Sequence, residues 1–205
     1  MNKIFNLFIQ KATWKKAILF SVVFISFFYL INYSAVGVSH LLKITNGVTI
    51  LDFEFGYDQE KAFQILTALG IEGRLFYLTR ILPLDFPFPL SYMFFYAGWI
   101  AYLIKNIYRV CNICSFSNHN KLYKYFLFIP VLAMMFDFIE NIGILSMLIN
   151  YPVLPLWAIK TASYAGMLKT IFTIGSIAII IILICVLIIK KIKCNKHFQK
   201  ITKNG

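Results

Sequence analysis

The run from Tyr125 to Ile149 is apolar apart from three close-set polar residues, Asp137, Glu140 and Asn141, and this combination restricts the fold more than any other feature. An unbroken apolar run of that length, at about 1.5 Å per residue, crosses a bilayer core of roughly 30 Å as a helix. A carboxylate at its midpoint costs about 2.5–3.5 kcal/mol on insertion scales, so Asp137 needs a partner, a proton or a wet cavity. The i, i+3, i+4 spacing puts all three polar groups on one helix face, where one internal site serves them together. Asp137 and Glu140 are therefore the candidate proton-transfer residues.

Three further runs have the same character: Ala17–Val38, Phe86–Ile104 and Ala162–Ile189. With 60% hydrophobic residues the chain exceeds the roughly 45–50% of ordinary soluble domains. The fold expected is an all-α integral membrane protein, one domain over residues 1–205, with spans at about 17–38, 86–104, 125–149 and 162–189. Pro87 and Pro89 fall in the first turn of the second run, where a missing N–H is tolerated. The charged start, apolar run and Ser34-Ala35-Val36-Gly37 loosely fit a signal peptide, but the run exceeds an h-region of roughly 7–15 residues, so it is read as a retained helix.

Basic residues set the expected orientation. Lys3, Lys11, Lys15 and Lys16 precede the first run, and Lys105, Arg109, Lys121 and Lys124 lie between the second and third. Lys190, Lys191, Lys193, Lys196, Lys200 and Lys203 fill the tail, 190–205. None of the acids lies in these segments, so both termini are expected in the cytoplasm, in a bacterial inner membrane. The net charge of +12 follows from topology and suits anionic lipid headgroups; with no sequence-reading module present, nucleic acid is not an expected partner.

Residues 39–85 form the one substantial extramembrane segment, an outer loop with six of the eight acids. Asn46-Gly47 between β-branched residues predicts a β-hairpin. Asp58 reads as the N-cap of a helix with an apolar stripe of Ala62, Phe63, Leu66 and Leu69, stopped by Gly70. A second amphipathic piece, Glu72 to Leu82, carries Arg74, Tyr77 and Arg80. Both pieces are too short to span and are expected at the outer interface. Asn150–Thr161, with Tyr151 and Trp157, reads as an aromatic-belt loop.

With the third run directed outward, Glu140 lies about 14 Å and Asp137 about 18 Å below the outer end. The fourth run returns inward and places Lys169 about 10 Å deep, within reach of Glu140. Asp85 stands at the mouth of the second run, with Arg74, Tyr77 and Arg80 close in sequence. Carboxylates crowded in low dielectric repel and one pKa rises, which makes an acid–base pair. The ligand-contacting candidates are Asp85, Asn141, Lys169, Arg74, Arg80 and Tyr77. The competing reading is a structural ion-pair network.

Cys111 and Cys114 with Cys194 and His197 have the spacing of a zinc site on the cytoplasmic side, but the halves are far apart and reduced thiols are the preferred reading. No phosphate loop, nucleophile elbow or zinc-protease motif occurs, so no cofactor or metal is implied. Gly143 and Gly166 read as close-contact positions between helices.

Ala68-Leu69-Gly70-Ile71-Glu72-Gly73-Arg74 with Tyr77, Leu84-Asp85-Phe86, and Asp137-Phe138-Ile139-Glu140-Asn141 together resemble an uncharacterised group of small four-helix bacterial membrane proteins. The group has an A-L-G-x-x-G-R-x-x-Y segment and a D-x-x-E-N helix. The resemblance covers about residues 50–175 and implies the fold and the polar positions, with no activity attached. The expected function is an intramembrane carboxylate site, open to the outer face, that binds or acts on a small lipid-like amphiphile. Alternatives are an accessory protein whose buried charges lock helices, acting with itself or a membrane-protein partner, and a small proton-coupled transporter.

Overall fold

The computed structural model describes the backbone of residues 2–113 and 125–203, and the side chains of 6–110 and 125–195. All regular structure among the described residues is helical. α1 (Asn2–Lys11) leads into α2 (Trp14–Tyr33), whose start is capped by Thr13, its hydroxyl accepting from the Lys16 amide at 3.3 Å. Three stretches are long and apolar enough to cross a membrane: Trp14–Ile44, Tyr125–Asn150 and Leu156–Asn195. The second holds α8 (Phe128–Asn150) and the third most of α9 (Leu156–Lys203). The first joins α2 to α3 (Val38–Ile44) through a bend at Ser34–Gly37.

A further helix, α7 (Phe88–Ile113), is 26 residues long and packs against α2, α8 and α9. Tyr92, Tyr96, Trp99 and Tyr102 lower its hydropathy below that of the three stretches. α9 begins well before the expected Ala162: Pro155 offers its carbonyl to the amides of Ala158 and Ile159, so the expected aromatic loop is partly helix. The closest helix pair is α8 with α9, where a Cβ on Gly143 would stand 2.7 Å from the Ala162 Cβ and 2.9 Å from the Ala158 carbonyl oxygen. Small residues let these backbones approach.

The segment between α2 and α7 folds over one end of the bundle as a cap. Asp58 caps α4 (Gln59–Ala68), its carboxylate accepting from the Lys61 amide at 2.8 Å. Gly70, at φ 66°, marks the break into α5 (Gly70–Phe76), which continues as a π-turn (Tyr77–Ile81) and α6 (Leu82–Asp85). Ala62, Leu66 and Leu69 are buried as expected, but Phe63 faces outward and stacks on Tyr151 at 5.8 Å. These pieces close on the bundle: Leu41, Leu51, Leu66, Ile81 and Leu82 form one core with Ile144, Met147 and Ala158.

The expected hairpin is absent. Asn46-Gly47 instead ends α3: Asn46 has φ 54°, Gly47 φ 92°, and the Gly47 amide reaches back to the Leu42 carbonyl at 2.8 Å. The pair signals left-handed backbone, which a helix C-cap uses as readily as a tight β-turn.

Candidate functional site

Where the cap meets the bundle, α8 presents Asp137, Glu140 and Asn141 inward, with 2%, 0% and 0% of their surface exposed. α9 answers with Lys169. Its ammonium pairs with Glu140 Oε2 and lies 3.4 Å from Asp137 Oδ1 and 3.9 Å from Asp52 Oδ1. Gly166, one turn before Lys169, has no side chain because the Glu140 carboxylate fills the space a Cβ would take. The glycine therefore lets Glu140 lie against α9.

The cap contributes the rest. Asp52, on a short 3₁₀ turn (Leu51–Phe53), receives a hydrogen bond from the Tyr77 hydroxyl. Tyr77 opens the π-turn, a distortion often found at functional sites, and is fully buried. The Asp85 carboxyl lies close enough to that of Asp52 for the two to repel, while its backbone carbonyl accepts from Asn141 Nδ2 at 3.1 Å. From α7, the Tyr92 hydroxyl donates to Asp137 Oδ2 at 3.0 Å. Tyr57 comes in over Gly56, which sits at φ 81°, and its amide donates to Ser163 Oγ at 2.8 Å.

Four carboxyl groups thus converge, and among the described residues Lys169 is the one cation acting on them. Burial pushes the Asp85 carboxyl well above the ordinary carboxylate range; Asp52 and Asp137 add repulsion, and Lys169 opposes it. Crowded like charges of this kind favour a protonated Asp85, the arrangement that separates an acid from its basic neighbours. Burial, with Glu140 and Asp52 adding, raises the Tyr57 hydroxyl too, so it stays a donor. Asp52 Oδ1, the Tyr57 hydroxyl, Glu140 Oε1 and Asn141 Oδ1 are buried without a hydrogen-bond partner.

Carboxylate oxygens of Asp52, Asp137 and Glu140 lie within 4.8 Å of one another, a spacing that oxygen ligands take around a divalent cation. The Lys169 ammonium stands among these same three groups, so an internal cation takes the place a metal would need.

A cavity of about 320 Å³ opens beside the cluster. Asp52, Asp85, Asp137, Lys169 and Tyr92 form its polar floor; Phe24, Phe28, Ile31, Phe53, Phe88 and Tyr96 form its walls. Glu140 and Asn141 are not on its surface and stand behind Lys169 and Asp85. Of its lining residues, Phe28 on α2 and Ile174 on α9 are exposed. A larger groove of about 580 Å³ lies between α1, α2 and Gly98, shares no residue with this cavity and contains no carboxylate.

Asp85, Tyr77, Asp137, Glu140, Asn141 and Lys169 are brought together as expected. Arg74 and Arg80 are not. Arg74 turns away, 3.8 Å over the Tyr151 ring, with Nη1 donating to the Leu66 carbonyl at 2.6 Å; Arg80 is exposed on the π-turn. Their closeness to Asp85 in sequence does not survive helical geometry, which points them to another face. Asp52, Tyr57 and Tyr92 were not foreseen. Tyr92 had a readable signal, a hydroxyl one helical turn from Tyr96 on an otherwise apolar stretch; Asp52 had none among six loop acids.

Of the cysteine–histidine set, Cys114 lies outside the described residues, as do the side chains of Cys111 and His197. Cys194 is buried and disulfide-bonded, which removes its sulfur as a thiolate ligand and corrects the reading of reduced thiols there. No family model, curated protein or solved structure matches the chain.

Proposed function

We propose that this is a four-span protein of the bacterial inner membrane whose capped carboxylate cavity binds a small lipid-like amphiphile. The observation that carries the reading is one cavity with a floor of Asp52, Asp85, Asp137 and Lys169 and walls of aromatic and aliphatic side chains. Sites for small organic ligands have this make-up, a mostly apolar surface with a few convergent polar groups, and its volume is at the low end of their range of about 300–1,000 Å³. Phe28 on α2 and Ile174 on α9 line the cavity and are exposed, which suits a ligand that arrives through the bilayer.

α7 is the fourth span in this reading. At 26 residues it reaches about 39 Å, and it runs among the three more apolar stretches. Its Tyr92 hydroxyl turns to Asp137, which hides the polar atom from lipid. Lysine-rich segments at the end opposite the cap support a cytoplasmic location for both termini and an outer one for the cap. The Asp52–Asp85 pair and Asp137 are equipped for proton transfer to or from a bound head, while Glu140 and Asn141 position Lys169 and Asp85.

Native mass spectrometry of gently extracted protein tests this. Thr173 on α9 lines the cavity, so Thr173→Phe adds bulk there while leaving every charged residue in place. A co-purifying amphiphile should be present on the native chain and lost from the variant. Equal retention by both, or a stoichiometric partner protein in its place, rejects the reading in favour of an accessory protein.

A further inference from the structure

We propose that the head of the bound amphiphile is cationic, an ammonium-type group seated against Asp52 and Asp85. This rests on the cavity being an amphiphile site and adds the chemical class of its ligand. The first support is the charge balance on the floor. Lys169 is committed to Glu140 and Asp137 and lies farthest from Asp52, at 3.9 Å. Asp52 and Asp85 both line the cavity and repel each other. An anionic head would add to an existing excess of acids, and a neutral head would leave it uncorrected. A cation corrects it, since an opposite charge within about 4–6 Å favours an ionised carboxylate.

The second support is independent of the charge count. Asp52 lines the cavity with a side chain only 8% exposed, and its Oδ1 has no hydrogen-bond partner. A buried acceptor on a residue lining a ligand space, with its nearest ammonium 3.9 Å away, calls for a closer donor or positive charge. The third is the wall. Phe24, Phe28, Phe53, Phe88 and Tyr96 surround the floor, and Phe24 stacks on Phe88 at 5.9 Å. Aromatic faces attract ammonium groups and recur in sites for quaternary ammonium ligands. The tail would leave between Phe28 and Ile174 toward lipid.

Binding of dodecyltrimethylammonium, dodecanol and dodecanoate to the full chain in phosphatidylcholine nanodiscs tests the head alone, since the tail is constant. Binding to Thr173→Phe is subtracted as partition into the bilayer. The ammonium should bind at least tenfold more tightly than the alcohol, with the carboxylate weakest, and Asp85→Asn should remove most of that preference. The probe series on the native chain stands even if Asp85→Asn fails to fold. Equal binding of ammonium and alcohol, or preference for the carboxylate, with sensitivity to Thr173→Phe, overturns the cationic head and leaves the amphiphile site standing. No Thr173→Phe-sensitive binding by any probe overturns both.

Discussion

Replacing Lys169 with methionine should damage the fold far more than replacing Glu140 with glutamine, although the two form an ion pair. The reason is that Lys169 serves several acids at once. Its ammonium pairs with Glu140 and stands 3.4 Å from Asp137 and 3.9 Å from Asp52. At an effective dielectric of 20, each of the two longer contacts alone represents a gross attraction of about 4–5 kcal/mol, before desolvation is subtracted. Lys169→Met leaves Glu140 and Asp137 buried with no counter-charge, and the net cost of stranding a buried charge is about 3–5 kcal/mol. Glu140→Gln leaves Lys169 with Asp137 and Asp52, relieves acid–acid repulsion and keeps an acceptor. Its cost should be that of one ordinary hydrogen bond, about 0.5–1.5 kcal/mol. At about 2–4 °C per kcal/mol for a chain of this size, Tm should fall by about 6–20 °C for Lys169→Met and by no more than about 6 °C for Glu140→Gln. Thermal unfolding in one detergent, followed by tryptophan fluorescence, reads both. The double variant should recover only part of the Lys169→Met loss, because Asp137 remains stranded. Equal losses in the single variants with full recovery in the double would show an isolated pair and refute the reasoning.

The Asp85 carboxyl, raised by burial and by its acidic neighbours, keeps its proton in the folded chain at pH values where the unfolded chain has lost it. Its contribution is therefore fully present below the ordinary aspartate pKa of about 3.9 and is lost as pH rises through its higher folded value. Asp85→Asn, which mimics the protonated acid, should flatten that part of the fall in Tm with rising pH; an unchanged slope would contradict the placement. Arg74→Ala removes the contact with the Tyr151 ring and the bond to the Leu66 carbonyl, and should cost about 1–2 kcal/mol of stability. The same variant should leave amphiphile binding unchanged, and a loss of binding would return Arg74 to the site.

Local chemistry in the sequence was enough for several features. A long apolar run has to be helical in lipid, because every backbone N–H and C=O must find its partner within the segment. The same run, carrying Asp137, Glu140 and Asn141 on one face, has to turn that face inward, and the α8 side chains do so. Simple rise per residue was sufficient to pair Glu140 with Lys169 across antiparallel helices. Asp58 as a cap and Gly70 as a break are read from one or two residues each, since they depend only on local backbone.

What tertiary structure alone decided is which cap residues reach the acids. Asp52 differs in no local way from Glu54, yet packing of its 3₁₀ turn on Tyr77 and α9 brings it within 3.9 Å of Lys169. Arg74 and Arg80, the nearer choices by sequence, point elsewhere because a helix sends neighbouring residues to different faces. Asn46-Gly47 shows the same division. Its residues dictate left-handed backbone, but whether that backbone closes a hairpin or ends a helix depends on Leu41, whose burial in the cap core holds α3 together. Sequence sets what each residue can do over a few neighbours; contacts between segments distant in the chain select which of those options is used.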